Sequence, residues 1–203
     1  MLNNIALIVA GGSGTRFGSE IAKQYHMLSN GEVILNQTVK TFLKHSQIDL
    51  VCVVLNQESN WQMENVIQTL GGKTRQESVR NGLEFLARYC PKNVLIHDAV
   101  RPFVSTNIIS SVIEQLQHFE AVDIALPITD TIKTYDGQIV PRNQLYATQT
   151  PQGFHFDVIL NLHKNADKEY TDDISLYLEF NKNSIGIVNG CPKNIKITYK
   201  EDI

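Results

Sequence analysis

The sequence has no surplus of positive charge: 18 Lys and Arg stand against 21 Asp and Glu, a formal net charge of -3. The basic residues are scattered rather than clustered, which excludes a chain that tracks a nucleic-acid backbone but leaves small anions open as partners. Cysteine is scarce too. Cys52, Cys90 and Cys191 form an odd set without metal-ligand spacing, and Cys52 lies in an apolar run where it reads as a small buried hydrophobe. This usage fits a reducing cytoplasm. No apolar run is long enough to cross a membrane. The stretch Met1-Leu2-Asn3-Asn4-Ile5 lacks a basic flank and runs into glycines instead of a cleavage site, which argues against secretion. Hydrophobic residues at 42% and charged residues at 19% suggest neither disorder nor a fibrous repeat. A chain of 203 residues can bury a substantial core, and it reads as a single domain over 1–203.

What the chain does have is alternation. Ile5 to Ala10 is a continuous apolar run closed by Gly11-Gly12, the pattern of a strand covered on both faces. Similar runs follow at Leu50 to Leu55, Val94 to Ile96 and Ile124 to Leu126. Between them, apolar residues recur at helical spacing: Leu35, Val39, Phe42 and Leu43; Val79, Leu83 and Leu86; Ile109, Val112, Ile113 and Leu116. The expected fold is α/β, a doubly wound, mostly parallel Rossmann-like sheet. After Pro127 the rhythm changes, and Thr131 to Tyr135 and Gln138 to Val140 read as short strands around an Asp136-Gly137 turn. This predicts a protruding β-arm at about 129–150, with too few apolar residues to form its own core. Helices near 157–163 and 172–180 and strands near 185–188 and 195–198 complete the pattern.

The glycine turn after the first strand carries the strongest chemical signal. In Gly11-Gly12-Ser13-Gly14-Thr15-Arg16-Phe17-Gly18, backbone N–H groups can turn towards an anion without side chains in the way. Arg16 and Lys23 add the fixed charge that a triphosphate needs. The order Gly-x4-Gly-Lys-Ser/Thr is absent, which excludes the P-loop. The dinucleotide fingerprint fails as well, because Phe17 stands where its third glycine belongs.

Ala10-Gly11-Gly12-Ser13-Gly14-Thr15-Arg16 with Ala22-Lys23-Gln24-Tyr25 resembles the signature of nucleotidyltransferases that act on sugar and polyol phosphates. Further matches at Gly71 to Val79, Ile96 to Pro102, Thr148 to Asp157, Thr171-Asp172-Asp173 and Asn194 to Thr198 are similar to the 2-C-methyl-D-erythritol 4-phosphate cytidylyltransferase family. The likeness extends to the cytidylyltransferase half of bifunctional isoprenoid-pathway enzymes. The sequence stops at Ile203, ahead of any counterpart to their second domain, so a stand-alone enzyme and a missing second domain are both left open.

The resemblance implies transfer of CMP from CTP to the acceptor phosphate with release of pyrophosphate, aided by Mg2+. It implies catalytic roles for Arg16, Lys23, Arg142 and Lys196, and nucleotide contacts from Ala10, Gly11, Gly12, Gly14, Gly71, Gly72 and Ser78. Arg75 is implied as an organiser of the nucleotide loop. Acceptor contacts would come from Asp98, Ala99, Arg101, Thr131, Arg142 and Thr171, with Asp98 as the candidate Mg2+ ligand. In the family, Thr and Arg of the arm reach the neighbouring subunit, which implies a homodimer for Thr131 and Arg142 to bridge. Gly11 for alanine, Ala22 for proline, Lys73 for aspartate and Val100 for alanine depart from the isoprenoid pattern. A double glycine also occurs in polyol-phosphate cytidylyltransferases such as those for ribitol 5-phosphate, which keeps that acceptor as an alternative. A nucleotide-binding module without turnover is a second alternative.

Overall fold

The computed structural model of the protein describes residues 2–12, 21–181 and 183–203. Its strands are β1 (Asn4–Ala10), β2 (Leu50–Leu55), β3 (Ile67–Leu70), β4 (Asn93–Asp98), β5 (Ala121–Pro127), β6 (Ile132–Lys133), β7 (Ile139–Val140), β8 (Tyr146–His155) and β9 (Gly186–Asn189). The helices are α1 (Ile34–Leu43), α2 (Arg75–Leu86), α3 (Thr106–Gln115), α4 (Phe156–Asn165) and α5 (Asp173–Phe180). Seven strands form one sheet in the order β3-β2-β1-β4-β8-β5-β9. Pairing is parallel except around β8, which runs antiparallel to both β4 and β5.

Both faces of the sheet are covered, which explains why β1 is apolar from Ile5 to Ala10. Ala6, Ile8 and Ala10 pack on one side with Leu35, Val39 and Phe42 of α1 and with Ile109 and Val112 of α3. Ile5 and Leu7 pack on the other with Val79, Leu83 and Leu86 of α2 and Ile159 of α4. Side-chain caps begin three helices. Thr74 accepts from the N–H of Glu77, Ser105 from Ile108 and Asp172 from Ser175. The expected α/β sheet is therefore present, with helices at the expected periodic segments.

Three stretches depart from the sequence pattern. β3 (IQTL) is a half-exposed edge strand whose polar residues hide it from a search for apolar runs. β8 takes in 146–150, which the sequence placed within the arm, and buries Gln149, Thr150 and Gln152 in the sheet. The strand expected near 195–198 does not form. Ile197 is fully buried, but its N–H meets the carbonyl of Val100 in a loop rather than a neighbouring strand. The hairpin itself is present: β6 and β7 pair antiparallel through Ile132 with Val140 and Lys133 with Ile139. Gly137 at its tip takes φ 90°, a left-handed conformation that costs glycine little. Tyr135 and Ile139 are exposed on it.

Candidate active site

The carboxyl ends of β1 and β4 open into a cleft of about 370 Å³, at the sheet edge where open α/β folds bind ligands. Ala10, Gly11, Gly12, Lys23, Gly72, Ser78, Asp98, Ala99 and Lys196, all anticipated from the sequence, line it. Gly14 and Arg16 lie outside the described residues. Lys23 opens a single 3-10 turn, Lys23–Tyr25, that brings Gln24 beneath the glycines. Gln24 is buried, and its Nε2 donates to the carbonyls of Ala10 at 2.8 Å and Gly12 at 3.2 Å. One amide thus fixes the path of the turn, a role the sequence motif contains without revealing.

A second glycine turn forms the opposite wall. The Oγ of Ser78 accepts from the N–H of Gly72 at 3.1 Å and donates to the carbonyl of Thr74 at 2.8 Å. A Cβ on Gly71 would stand 2.7 Å from that oxygen, and one on Gly11 would stand 3.1 Å from it. Glycine at both positions is what lets the two turns close around Ser78. The hydroxyl therefore braces the loop, using its proton on Thr74 rather than holding it for a ligand.

Between the walls lies Asp98, buried at the end of β4. Its Oδ1 lies 3.3 Å from Nε of Arg75, and its Oδ2 lies 2.8 Å from Nζ of Lys196 and 3.7 Å from Nε of Arg101. Burial alone would raise this carboxyl. The three cations outweigh it and hold the group well below the usual carboxylate range. Arg101 is anchored in turn, its Nη1 donating to the carbonyl of Asn194 at 2.7 Å. That bond brings the segment carrying Lys196 back to β4 without a strand.

Beneath Asp98, the hydroxyl of Thr150 accepts from the Asp98 N–H at 3.1 Å and lies 2.9 Å from Nδ1 of His97. Nε2 of His97 donates to the carbonyl of Arg101 at 3.1 Å, so Nδ1 accepts from Thr150 and the ring is neutral. Burial pushes this imidazole down to about 4. The role of Thr150 and His97 is not legible in the sequence, because the hydrogen bond they share joins β8 to β4.

Not every anticipated residue comes to the cleft. Thr131 and Arg142 are exposed on the arm, and Nη1 of Arg142 donates to the carbonyl of Thr129 within it. Thr171 is exposed just ahead of the α5 cap, Asp172. Gly71 and Arg101 do not line the cleft themselves, Arg101 reaching it through Asp98. Among the described residues no three His, Cys, Asp or Glu groups gather to cage a metal. Asp98 is the one acid among the described cleft residues. Its two oxygens already face Arg75, Lys196 and Arg101, so Asp98 does not fit the expected role of a Mg2+ ligand; a Mg2+ ion here would take its ligands from substrate phosphates and water.

Comparison with known proteins decides the family. The family model described as "IspD: 2-C-methyl-D-erythritol 4-phosphate cytidylyltransferase" matches residues 4–203. The chain belongs to this family. A bifunctional enzyme IspD/IspF of Granulibacter bethesdensis is 40% identical over 206 residues, covering 98% of this chain and 54% of that protein. The 2-C-methyl-D-erythritol 4-phosphate cytidylyltransferase of Clostridioides difficile is 38% identical over 213 residues, covering 97% of this chain and 89% of that protein. The chain thus spans about half the length of the bifunctional relatives it matches. Among solved structures, the 2-C-methyl-D-erythritol 4-phosphate cytidylyltransferase of Thermus thermophilus superposes with a TM-score of 0.85 at 29% identity, covering 100% of this chain and 95% of that one. Like that structure, this cytidylyltransferase-family chain has a mostly parallel sheet flanked by helices. Among its described residues, no helix is long and apolar enough to cross a membrane.

Proposed function

We propose that residues 1–203 act as one nucleotidyltransferase unit, which transfers CMP from CTP to the phosphate of 2-C-methyl-D-erythritol 4-phosphate in isoprenoid synthesis. The observation that carries this reading is the convergence of two glycine turns, Lys23 and the Asp98–Lys196 pair on one cleft. Ala10, Gly11, Gly12 and Gly14 would turn N–H groups to the triphosphate, with Arg16 and Lys23 bracketing it. Gly71, Gly72 and the Ser78 brace would shape the pocket for the base and ribose. Asp98, Ala99, Arg101 and Thr171 would receive the acceptor, and Lys196 its phosphate.

The chemistry asks these residues for alignment and charge rather than for a base. A phosphate monoester has its second pKa at about 6, so near pH 7 it is mostly a dianion. Its oxygen bonds to the α-phosphorus of CTP while the bond from that phosphorus to the bridging oxygen breaks, and pyrophosphate leaves with that oxygen. Arg16 and Lys23 would stabilise the charge that builds on the α-phosphoryl oxygens, and Lys196 would neutralise the attacking phosphate. Mg2+ carried on the nucleotide's own phosphates would supply further neutralisation when bound, while Asp98 holds Lys196 and Arg75 in place.

The reading includes a cytoplasmic homodimer that exchanges arms. Support comes from the exposed Tyr135 and Ile139 and from the placement of Arg142 away from its own cleft. The partner subunit's Thr131 and the partner subunit's Arg142 would complete each site. The free state of Cys52, Cys90 and Cys191 is consistent with a reducing compartment.

The test is pyrophosphate release from CTP and Mg2+ with 2-C-methyl-D-erythritol 4-phosphate, ribitol 5-phosphate or no acceptor. Release with the erythritol phosphate is expected. Release with ribitol phosphate alone would reassign the acceptor, and CTP binding without release would leave a non-catalytic module.

A further inference from the structure

The guanidinium of Arg75 is shared between carboxylates from different parts of the fold. Its Nε lies 3.3 Å from Oδ1 of Asp98, and its Nη2 lies 2.9 Å from Oδ2 of Asp173 in the first turn of α5. Behind it, Oδ1 of Asp173 is 3.0 Å from Nε2 of His163 on α4, with both side chains almost wholly buried. Burial would raise the Asp173 carboxyl, but Arg75 and His163 overcome that and hold it low. Burying a carboxylate is costly unless it is paired, so this one calls for an explanation.

Holding α5 in place does not require it. Asp172 caps that helix through the N–H of Ser175 at 2.9 Å. Oε1 of Gln152 accepts the N–H groups of Asp173 and Ile174 at 3.2 and 3.3 Å. The backbone is secured without the Asp173 carboxylate, whose charge serves Arg75. With Asp98 as its one partner, the planar guanidinium would be drawn onto both carboxylate oxygens, the usual two-pronged geometry. One of those oxygens, Oδ2, now faces Lys196 at 2.8 Å.

We infer that Asp173 is a positioning residue for the transfer reaction. By holding the Nη2 end of Arg75 it keeps that residue on one oxygen of Asp98 and reserves the other for Lys196. The same bridge ties the start of α2, on the nucleotide side, to the Thr171-Asp172 segment on the acceptor side. The inference rests on the cytidylyltransferase reading of the cleft. It places the effect of Asp173 chiefly on the acceptor side, because the base loop next to Arg75 is braced through Gly72 and Thr74 by the Ser78 hydroxyl, without the Asp173 carboxylate.

The experiment compares Asp173→Asn, Asp173→Glu and Arg75→Lys with the wild-type chain. Pyrophosphate release is followed with the acceptor varied at saturating CTP, CTP binding is measured by calorimetry without acceptor, and thermal melts are recorded. Asp173→Asn is expected to lower kcat/KM for the acceptor roughly 10- to 100-fold, mostly through KM. Its CTP affinity should stay within about twofold of wild type, well below the change from losing a charged hydrogen-bond partner. Asp173→Glu should recover much of the loss, and Arg75→Lys, which keeps the charge without the two-ended reach, should reproduce it. An unchanged acceptor KM in Asp173→Asn overturns the inference, as does a loss spread equally over both substrates with a lowered melt. If that variant fails to fold, an unchanged acceptor KM in Arg75→Lys overturns it instead. A wild-type chain that releases no pyrophosphate with any acceptor overturns the cytidylyltransferase reading itself.

Discussion

The Nζ of Lys196 stands 2.8 Å from Oδ2 of Asp98, on a carboxylate that also faces Arg75 and Arg101. The partners differ in exposure, since the Lys196 side chain is 38% exposed and that of Asp98 is 10%. Their removal should therefore have different costs. Asp98→Asn takes from the largely buried Arg101 its carboxylate partner and is expected to lose roughly 3–5 kcal/mol of folding stability. Lys196→Ala should lose less than about 1 kcal/mol, as exposed pairs do, yet impair pyrophosphate release severely. Urea denaturation of the two variants checks this, and equal stability losses would contradict the charge arrangement.

Lys23→Ala and Arg16→Ala are each expected to cut turnover about 100- to 1000-fold, the usual effect of removing one donor to a charged transition state. The loss should fall mainly on the chemical step. Single-turnover product formation at saturating substrates measures it, and normal turnover in either variant removes that residue from the mechanism.

Gln24 reaches two carbonyls of the glycine turn from a buried position. Gln24→Ala leaves both carbonyls short of a donor and should weaken CTP binding by roughly tenfold, about 1.4 kcal/mol. Calorimetric titration with CTP gives the answer directly. Gln24→Glu should be worse, because its carboxylate would face carbonyl oxygens.

Acid should destabilise the fold through His97. Burial pushes its imidazole from 6.5 down to about 4, so the unfolded chain takes up a proton across this window while the folded chain does not. Stability is intact above pH 6.5 and falls as the pH drops towards 4. The expected loss between pH 6.5 and pH 5 is roughly 1.5 kcal/mol. Asp98 and Asp173, both held below their ordinary 3.8, extend the loss to lower pH. Denaturation midpoints across this range should vary less for His97→Gln than for wild type, and identical slopes would acquit His97.

Complementation tests the shared arm. Lys23→Ala and Arg142→Ala should each be inactive alone, yet a co-refolded mixture should regain about a quarter of wild-type activity. Random pairing makes half the dimers mixed, and each mixed dimer has one intact site. A mixture as inactive as its parents, or an active monomer on a sizing column, would count against arm exchange.

How legible the molecule is from its sequence depends on where each residue's partners lie. The runs at Ile5 to Ala10 and Leu50 to Leu55 announce buried strands because neighbouring residues face opposite cores. The glycine turn and Lys23 are legible because their chemistry is local. β8 is not, since Thr148 and Gln152 satisfy themselves against Asp123 on β5, and Thr150 against His97 on β4. In isolation those side chains look solvent-facing. Asp173 escaped as a functional residue for the same reason, because its meaning lies in Arg75 and His163.

The reversed direction of β8 has a consequence for how such a protein can change. Because Tyr146 pairs with Pro127, the intervening hairpin leaves and re-enters the sheet at one rim, the same rim on which the cleft opens. Residues can be added to or removed from that excursion without shifting the register of the strands on either side. A peripheral appendage at that rim can thus be lengthened or reshaped while β1 and β4, whose ends carry the cleft, stay as they are.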